Sequence, residues 1–173
     1  MRTLLATLAA ATLASGCAAL GGAAGPAAVA NLAATKGNTT AGTVTFEQRG
    51  ASVQVSGTIS GLKPGAEHGF HVHEKGDCGS GDGMSAGGHF NPLGKGHGHH
   101  GAADRHAGDL PNLKADAYGT AAFSFEVTGI TIGSGATDIV GRGLIVHRDP
   151  DDYRSQPAGN AGPRLACAVI ARR

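Results

Sequence analysis

Residues 51–62, ASVQVSGTISGL, alternate well from Ser52 to Ile59. Val53, Val55, Gly57 and Ile59 fall on one side, and Ser52, Gln54, Ser56 and Thr58 on the other. Successive side chains of a strand point to opposite faces, so this run specifies a strand with one dry face and one wet face. AGTVTFEQ (41–48) repeats the pattern, with Val44 and Phe46 opposite Thr43 and Thr45. AVANLAAT (28–35), GFHVHE (69–74), GTAAFSFEVTGI (119–130), GRGLIVH (141–147) and RLACAVIAR (164–172) are also strand-like. No segment sustains a helical period. Short strands divided by glycine and proline turns imply an all-β antiparallel sandwich or barrel. Aromatic residues make up only 4% of the chain and Trp is absent, so Val, Ile, Leu and Ala must fill the core.

A chain of 173 residues is expected to hold one domain with an appendage. The formal charge of +1 comes from scattered Lys and Arg. That leaves no electrostatic footprint for nucleic acid or an acidic membrane surface. The appendage is N-terminal. MRTLLATLAAATLASGC opens with Arg2, continues as a short apolar run and closes on small residues. This is a secretory signal pattern, too short to span a bilayer. Leu13-Ala14-Ser15-Gly16-Cys17 resembles a bacterial lipobox, which makes Cys17 a candidate for lipid attachment and residues 1–16 the signal peptide. The alternative is ordinary signal cleavage with Cys17 incidental. Three cysteines favour the lipidated form, because one is left over from a single disulfide in an oxidising compartment. Residues 17–26 are then expected to form a tether and residues 27–173 the domain, with the periplasm or cell envelope as the expected location. Loss of Arg2 with the signal leaves the mature chain formally neutral.

Two long connections, 74–116 and 148–163, interrupt the strand rhythm. Connections of that length are uncommon unless they are functional or tied down. The first contains HFNPLGKGHGHHGAADRHAGD (89–109), which holds five of the nine histidines in a glycine- and alanine-rich stretch. It offers almost nothing apolar to bury, so the expected tie is a metal. In HVH, His71 and His73 stand two apart on a strand and share a face. His147 ends an apolar strand, an odd place for an imidazole without a partner.

GFHVHEKGDC, GGHFNP, RHAGDL, GRGLIVH and GNAGPRLACAVI stand in an order and near a spacing that resemble copper/zinc superoxide dismutase across roughly residues 27–171. The short, Asp-, Pro- and Gly-rich 148–163 segment is similar to the bacterial exported branch. The resemblance implies an eight-stranded antiparallel Greek-key barrel with two long loops. It implies copper on His71, His73, His89 and His147, and zinc on His89, His97, His106 and Asp109. The deprotonated ring of His89 would bridge the two metals. It further implies a disulfide between Cys78 and Cys167, Arg164 as the guide for superoxide, and Asp151 linking His71 to His97. His68 would be structural. His99 and His100 have no place in the pattern and are expected to be solvated, with a metal-loading or buffering role as the alternative. Lys75 and Lys95 are further candidates for steering.

The donor chemistry agrees with this division. Imidazole suits both Cu(II) and Zn(II), and a carboxylate suits zinc. The implied reaction converts superoxide to dioxygen and hydrogen peroxide by Cu(II)/Cu(I) cycling. The alternative function is a non-catalytic exported protein that binds or buffers copper and zinc. Such a buffer would not need Arg164 beside an open copper position. Monomer and homodimer are both compatible with the sequence.

Overall fold

The computed structural model describes residues 25–173. The signal segment 1–16, Cys17 and the tether up to residue 24 lie outside the described residues. Ten strands follow: β1 (Ala27–Ala34), β2 (Ala41–Arg49), β3 (Ser52–Ser60), β4 (Glu67–His68), β5 (Phe70–His73), β6 (Leu113–Lys114), β7 (Ala121–Thr128), β8 (Gly143–His147), β9 (Arg164–Val169) and β10 (Ala171–Arg172). Among the described residues the only helical segment is one short 3-10 turn, Met84–Ala86.

Eight strands build one curled antiparallel sheet in the order β5–β8–β9–β1–β2–β3–β7, with β10 also beside β1. β1 joins the two halves. Ala28 and Val29 pair with β10, while Ala33 and Ala34 pair with β9. The ribbon β4–β6 links the chain just before one edge strand, β5, to the chain leading into the other, β7. This is the all-β barrel-like fold expected from the alternating runs. The two-residue strands β4 and β6 were not legible, because two residues cannot display a period.

Val44, Phe46, Val53, Val55 and Ile59 of β2 and β3 pack with Phe70, Val72, Leu144, Val146 and Ile170 in a single core. β2 keeps a wet face, whereas every residue of β5 and β8 is buried. A strand loses its alternation of exposure when both faces are covered. Here the long loop covers the second face.

That loop corrects one expectation. Residues 89–109 do bury apolar surface, because Phe90 and Ala107 belong to the core, followed at once by Leu110. The loop also continues the sheet beyond β5. The Val72 N–H donates to the Gly108 carbonyl at 3.0 Å, the Phe90 N–H to Val72 at 2.8 Å, and the Glu74 N–H to Gly88 at 2.9 Å. Gly108 permits this approach, since a Cβ there would collide with the Val72 carbonyl. A disulfide between Cys78 and Cys167, 89 residues apart, fastens the start of the loop to β9.

Candidate metal centre

β5 sends His71 and His73 to the face opposite Phe70 and Val72, and β8 delivers His147 beside them through the β5–β8 pairing. Isolated backbone bridges then set His89 against His73 and Asp109 against His71. The loop residues therefore arrive in register with a strand. Six histidines (His71, His73, His89, His97, His106 and His147) and Asp109 are buried together.

Hydrogen bonds fix which ring nitrogen of each imidazole is free. His71 donates from Nε2 to Asp151 Oδ2 at 2.9 Å, which leaves Nδ1 as a lone pair, buried and unpartnered. His73 donates from Nδ1 to the Gly87 carbonyl at 2.9 Å, and His147 donates from Nδ1 to the Gly162 carbonyl at 3.1 Å. Their Nε2 atoms consequently face each other as lone pairs 3.4 Å apart. His89 Nε2 is likewise buried without a partner. Ligand atoms of His71, His73, His89 and His147 all lie within 4.8 Å of one another. Unpaired acceptors forced together in a dry site are costly. A cation at their focus removes that cost, so the residues fit one.

The second cluster forms around one carboxylate oxygen. Asp109 Oδ2 accepts the backbone N–H groups of Gly98 at 3.1 Å and His106 at 2.9 Å. Oδ1 faces Nδ1 of His89 at 2.9 Å, of His97 at 3.0 Å and of His106 at 3.4 Å. His106 Nδ1 is also 3.4 Å from His89 Nδ1. Ligands about 2.0–2.1 Å from a tetrahedral zinc stand about 3.3–3.4 Å apart. The observed edges, 2.9 to 3.4 Å, are close to that figure. Three imidazoles and one monodentate carboxylate make a closed zinc-type donor set. His89 belongs to both clusters, with Nδ1 in this one and Nε2 facing the other.

The two clusters differ in electrostatics. Burial disfavours the charged ring and holds His71, His73 and His147 below the ordinary imidazole value. It brings His89 down to about 4. Burial also lowers His97, but the Asp109 and Asp151 carboxylates outweigh it and raise His97 to about 9. Burial raises Asp109 and Asp151, yet hydrogen bonds from the imidazoles prevail and hold both well below the usual carboxylate range.

Asp151 spans the clusters. Its Oδ2 receives His71 and its Oδ1 receives His97 Nε2 at 2.9 Å. Of the three nearby aspartates it alone is buried, whereas Asp149 and Asp152 are not. Gly159 allows the contact, because a Cβ there would strike both Asp151 Oδ1 and His97 Nε2. His68 turns Nδ1 toward the His147 carbonyl at 2.9 Å and joins neither cluster. His99 and His100 stay outside both clusters as well. Lys95 Nζ donates to the Ala103 carbonyl at 2.6 Å and lines a different surface depression from the one that opens on the first cluster. Lys75 does not line that opening either.

A cleft of about 250 Å³ opens on the first cluster, lined by His73, His89, His147, Gln156, Gly162 and Arg164 among others. Arg164 is held at its rim by donating to the carbonyls of Gly83 at 2.5 Å and Gly87 at 2.6 Å. Two residues that the sequence reading did not single out support the second cluster. Gln156 brackets the backbone of His97, with Oε1 accepting its N–H and Nε2 donating to its carbonyl, both at 2.9 Å. Arg105 is buried and donates to the carbonyls of His106 at 2.8 Å and Thr128 at 2.5 Å, tying the loop to the end of β7. The only available signal was the position of Arg105 directly before His106, and surface arginines share such positions.

Residues 40–170 match the family model described as copper/zinc superoxide dismutase. A Cu-Zn superoxide dismutase of Paramecium bursaria Chlorella virus 1 is 47% identical over 135 residues, covering 75% of this chain and 71% of the viral one. Superoxide dismutase [Cu-Zn] 2 of Brassica juncea is 49% identical over 136 residues, covering 75% and 88% of the two chains. The crystal structure of the clock protein EA4 superposes with a TM-score of 0.77 at 42% identity, over 87% of this chain and 97% of that one.

Proposed function

The chain belongs to the copper/zinc superoxide dismutase family and is an oxidoreductase acting on superoxide, and we infer which of its residues carry each part of that work. His71, His73, His89 and His147 would hold copper. His89, His97, His106 and Asp109 would hold zinc. Bound copper would supply the one-electron chemistry, and zinc would supply a fixed positive charge beside the His89 ring.

The protein's own contributions follow from the geometry. The Gly87 and Gly162 carbonyls and Asp151 keep three imidazoles in the tautomer whose lone pair faces the shared focus. His89 has one nitrogen aimed at each cluster, so its Nε2 is the atom able to hold a proton beside the cleft while Nδ1 stays engaged. Arg164 keeps its charge at any working pH and presents it where a small anion enters. Because the mature chain would be formally neutral, attraction of the anion must come from this local field.

The shared ring of His89 is the observation that carries this reading. Replacing His147 by Ala tests it. The metal-loaded variant is expected to lose superoxide removal while keeping its zinc, measured by a rate assay together with metal analysis. An active variant, or one that loses zinc with the activity, overturns the assignment.

The exported branch and an envelope location are also proposed. They are supported by the signal-like N-terminal sequence, the lipobox-like run before Cys17 and the short 148–163 segment. The mass of the mature N-terminus tests cleavage and lipidation at Cys17 together, and sedimentation separates monomer from homodimer.

A further inference from the structure

The hydrogen peroxide that this activity produces leaves by the cleft that opens on the first cluster. Peroxide attacks accessible reduced sulfur. Among the described residues Cys78 and Cys167 are closed in a disulfide, so Met84 carries the only reduced sulfur. Methionine is most often buried, but Met84 is 60% exposed. It lines both the cleft and a second depression, and Arg164 lines the same two. Its backbone is nevertheless fixed. The Met84 N–H donates to Asp82 Oδ1 at 2.9 Å, and its carbonyl accepts the Gly87 N–H at 3.0 Å. The short 3-10 turn Met84–Ala86 packs Ala86 inward, against the disulfide. The residues flanking that turn are Gly83 and Gly87, whose carbonyls hold the Arg164 guanidinium. An oxidisable thioether therefore stands on the segment that fixes the guiding arginine.

We propose that Met84 is an oxidation site for peroxide at the mouth of the cleft, and that its sulfoxide slows the capture of superoxide by competing for Arg164. In the oxidation a sulfur lone pair attacks one peroxide oxygen. The S–O bond forms as the O–O bond breaks, and the second oxygen leaves as water with both hydrogens. Sulfur loses two electrons and peroxide gains them. The product replaces a flexible apolar group with a polar one whose oxygen accepts hydrogen bonds. That oxygen competes with the Gly83 and Gly87 carbonyls for the guanidinium N–H groups and places the negative end of a dipole where the anion enters. Accumulated product thereby lowers the rate at which more is made, and reduction of the sulfoxide restores it. The slowing rests on the guiding role given to Arg164 above, whereas the oxidation itself does not.

The test treats the zinc-loaded full chain with hydrogen peroxide and adds copper afterwards, which keeps copper-driven damage away from the ligand histidines. Peptide mass mapping is expected to place one added oxygen on Met84. The rate of superoxide removal should then fall at least about twofold, part of the gain that local steering supplies. Methionine sulfoxide reductase should restore the rate. Met84→Leu, treated in the same way, should match its own untreated rate. A Met84 that stays unmodified while other residues take up oxygen would overturn the proposal. So would a sulfoxide that forms while the rate holds, or an equal fall in Met84→Leu. Arg164→Gln in the same assay shows whether the guiding role fails as well, because its untreated rate depends on that role alone.

Discussion

The strand-borne and loop-borne halves of the centre reach the same end by opposite means. His71, His73 and His147 stand on paired strands inside an apolar barrel, and burial keeps their rings neutral. His97 and His106 stand on a loop gathered around the Asp109 carboxylate, and the two carboxylates that His97 touches favour its charged ring. The difference shows that burial in an apolar barrel places a ligand and keeps its ring neutral, whereas two carboxylates on one ring, as on His97, place it and favour its charged form. It also predicts which half depends on polar contacts. The sheet stands on its core, while the loop combines a few core residues with one carboxylate, one glutamine, one arginine and a disulfide.

The largest break between the halves is expected from Asp109→Ala. It removes the acceptor of three imidazoles and two backbone amides from a fully buried position. Breaking a buried, paired charge costs about 3–5 kcal/mol. Zinc should be lost, and hydrogen exchange should rise in residues 88–109 while β2 and β3 keep their protection. Equal loss of protection in both regions would show that the sheet depends on the loop.

Cys78→Ala with Cys167→Ala should come next, at about 2–4 kcal/mol from the looser unfolded chain. Chemical denaturation measures the loss. The centre should still assemble, because the backbone bridges to β5 remain. Failure of the double variant to load both metals would make the disulfide part of the centre.

Acid should separate the halves most gently. In the metal-free chain, His71, His73, His89 and His147 resist protonation when folded and accept it near pH 6.5 when unfolded. The unfolded state then binds more protons, so these four lower stability as the pH falls through about 6.5, down to about 4 for His89. His97 has the opposite sign. Its contribution is full below about pH 6.5 and is lost as the pH rises through about 9. Asp109 and Asp151 contribute above the ordinary carboxylate range and lose that contribution as the pH falls below it. Four lowered imidazoles outweigh one raised, so urea midpoints should be lower at pH 4.5 than at pH 8. A midpoint that instead rises in acid would mean that the loop's charged imidazole dominates the whole fold.

Much of the barrel was legible in the sequence because alternation is a property of the chain alone. Val44, Phe46, Val53, Val55 and Ile59 lie inside, as period two requires. The shared face of His71 and His73 follows from the same period. Tertiary structure decided the rest. Backbone pairing of residues 88–90 and 108 with β5 uses groups that every residue carries, so no side-chain pattern announced it. The same reason hid the Gly87 and Gly162 carbonyls that choose the tautomers of His73 and His147. The resemblance pointed to Asp151 by position, but residue type alone does not separate it from Asp149 and Asp152, and its burial between two rings is a property of the folded neighbourhood. The sequence determined which atoms were available to bind a metal, and the fold determined which of their lone pairs were left free to do so.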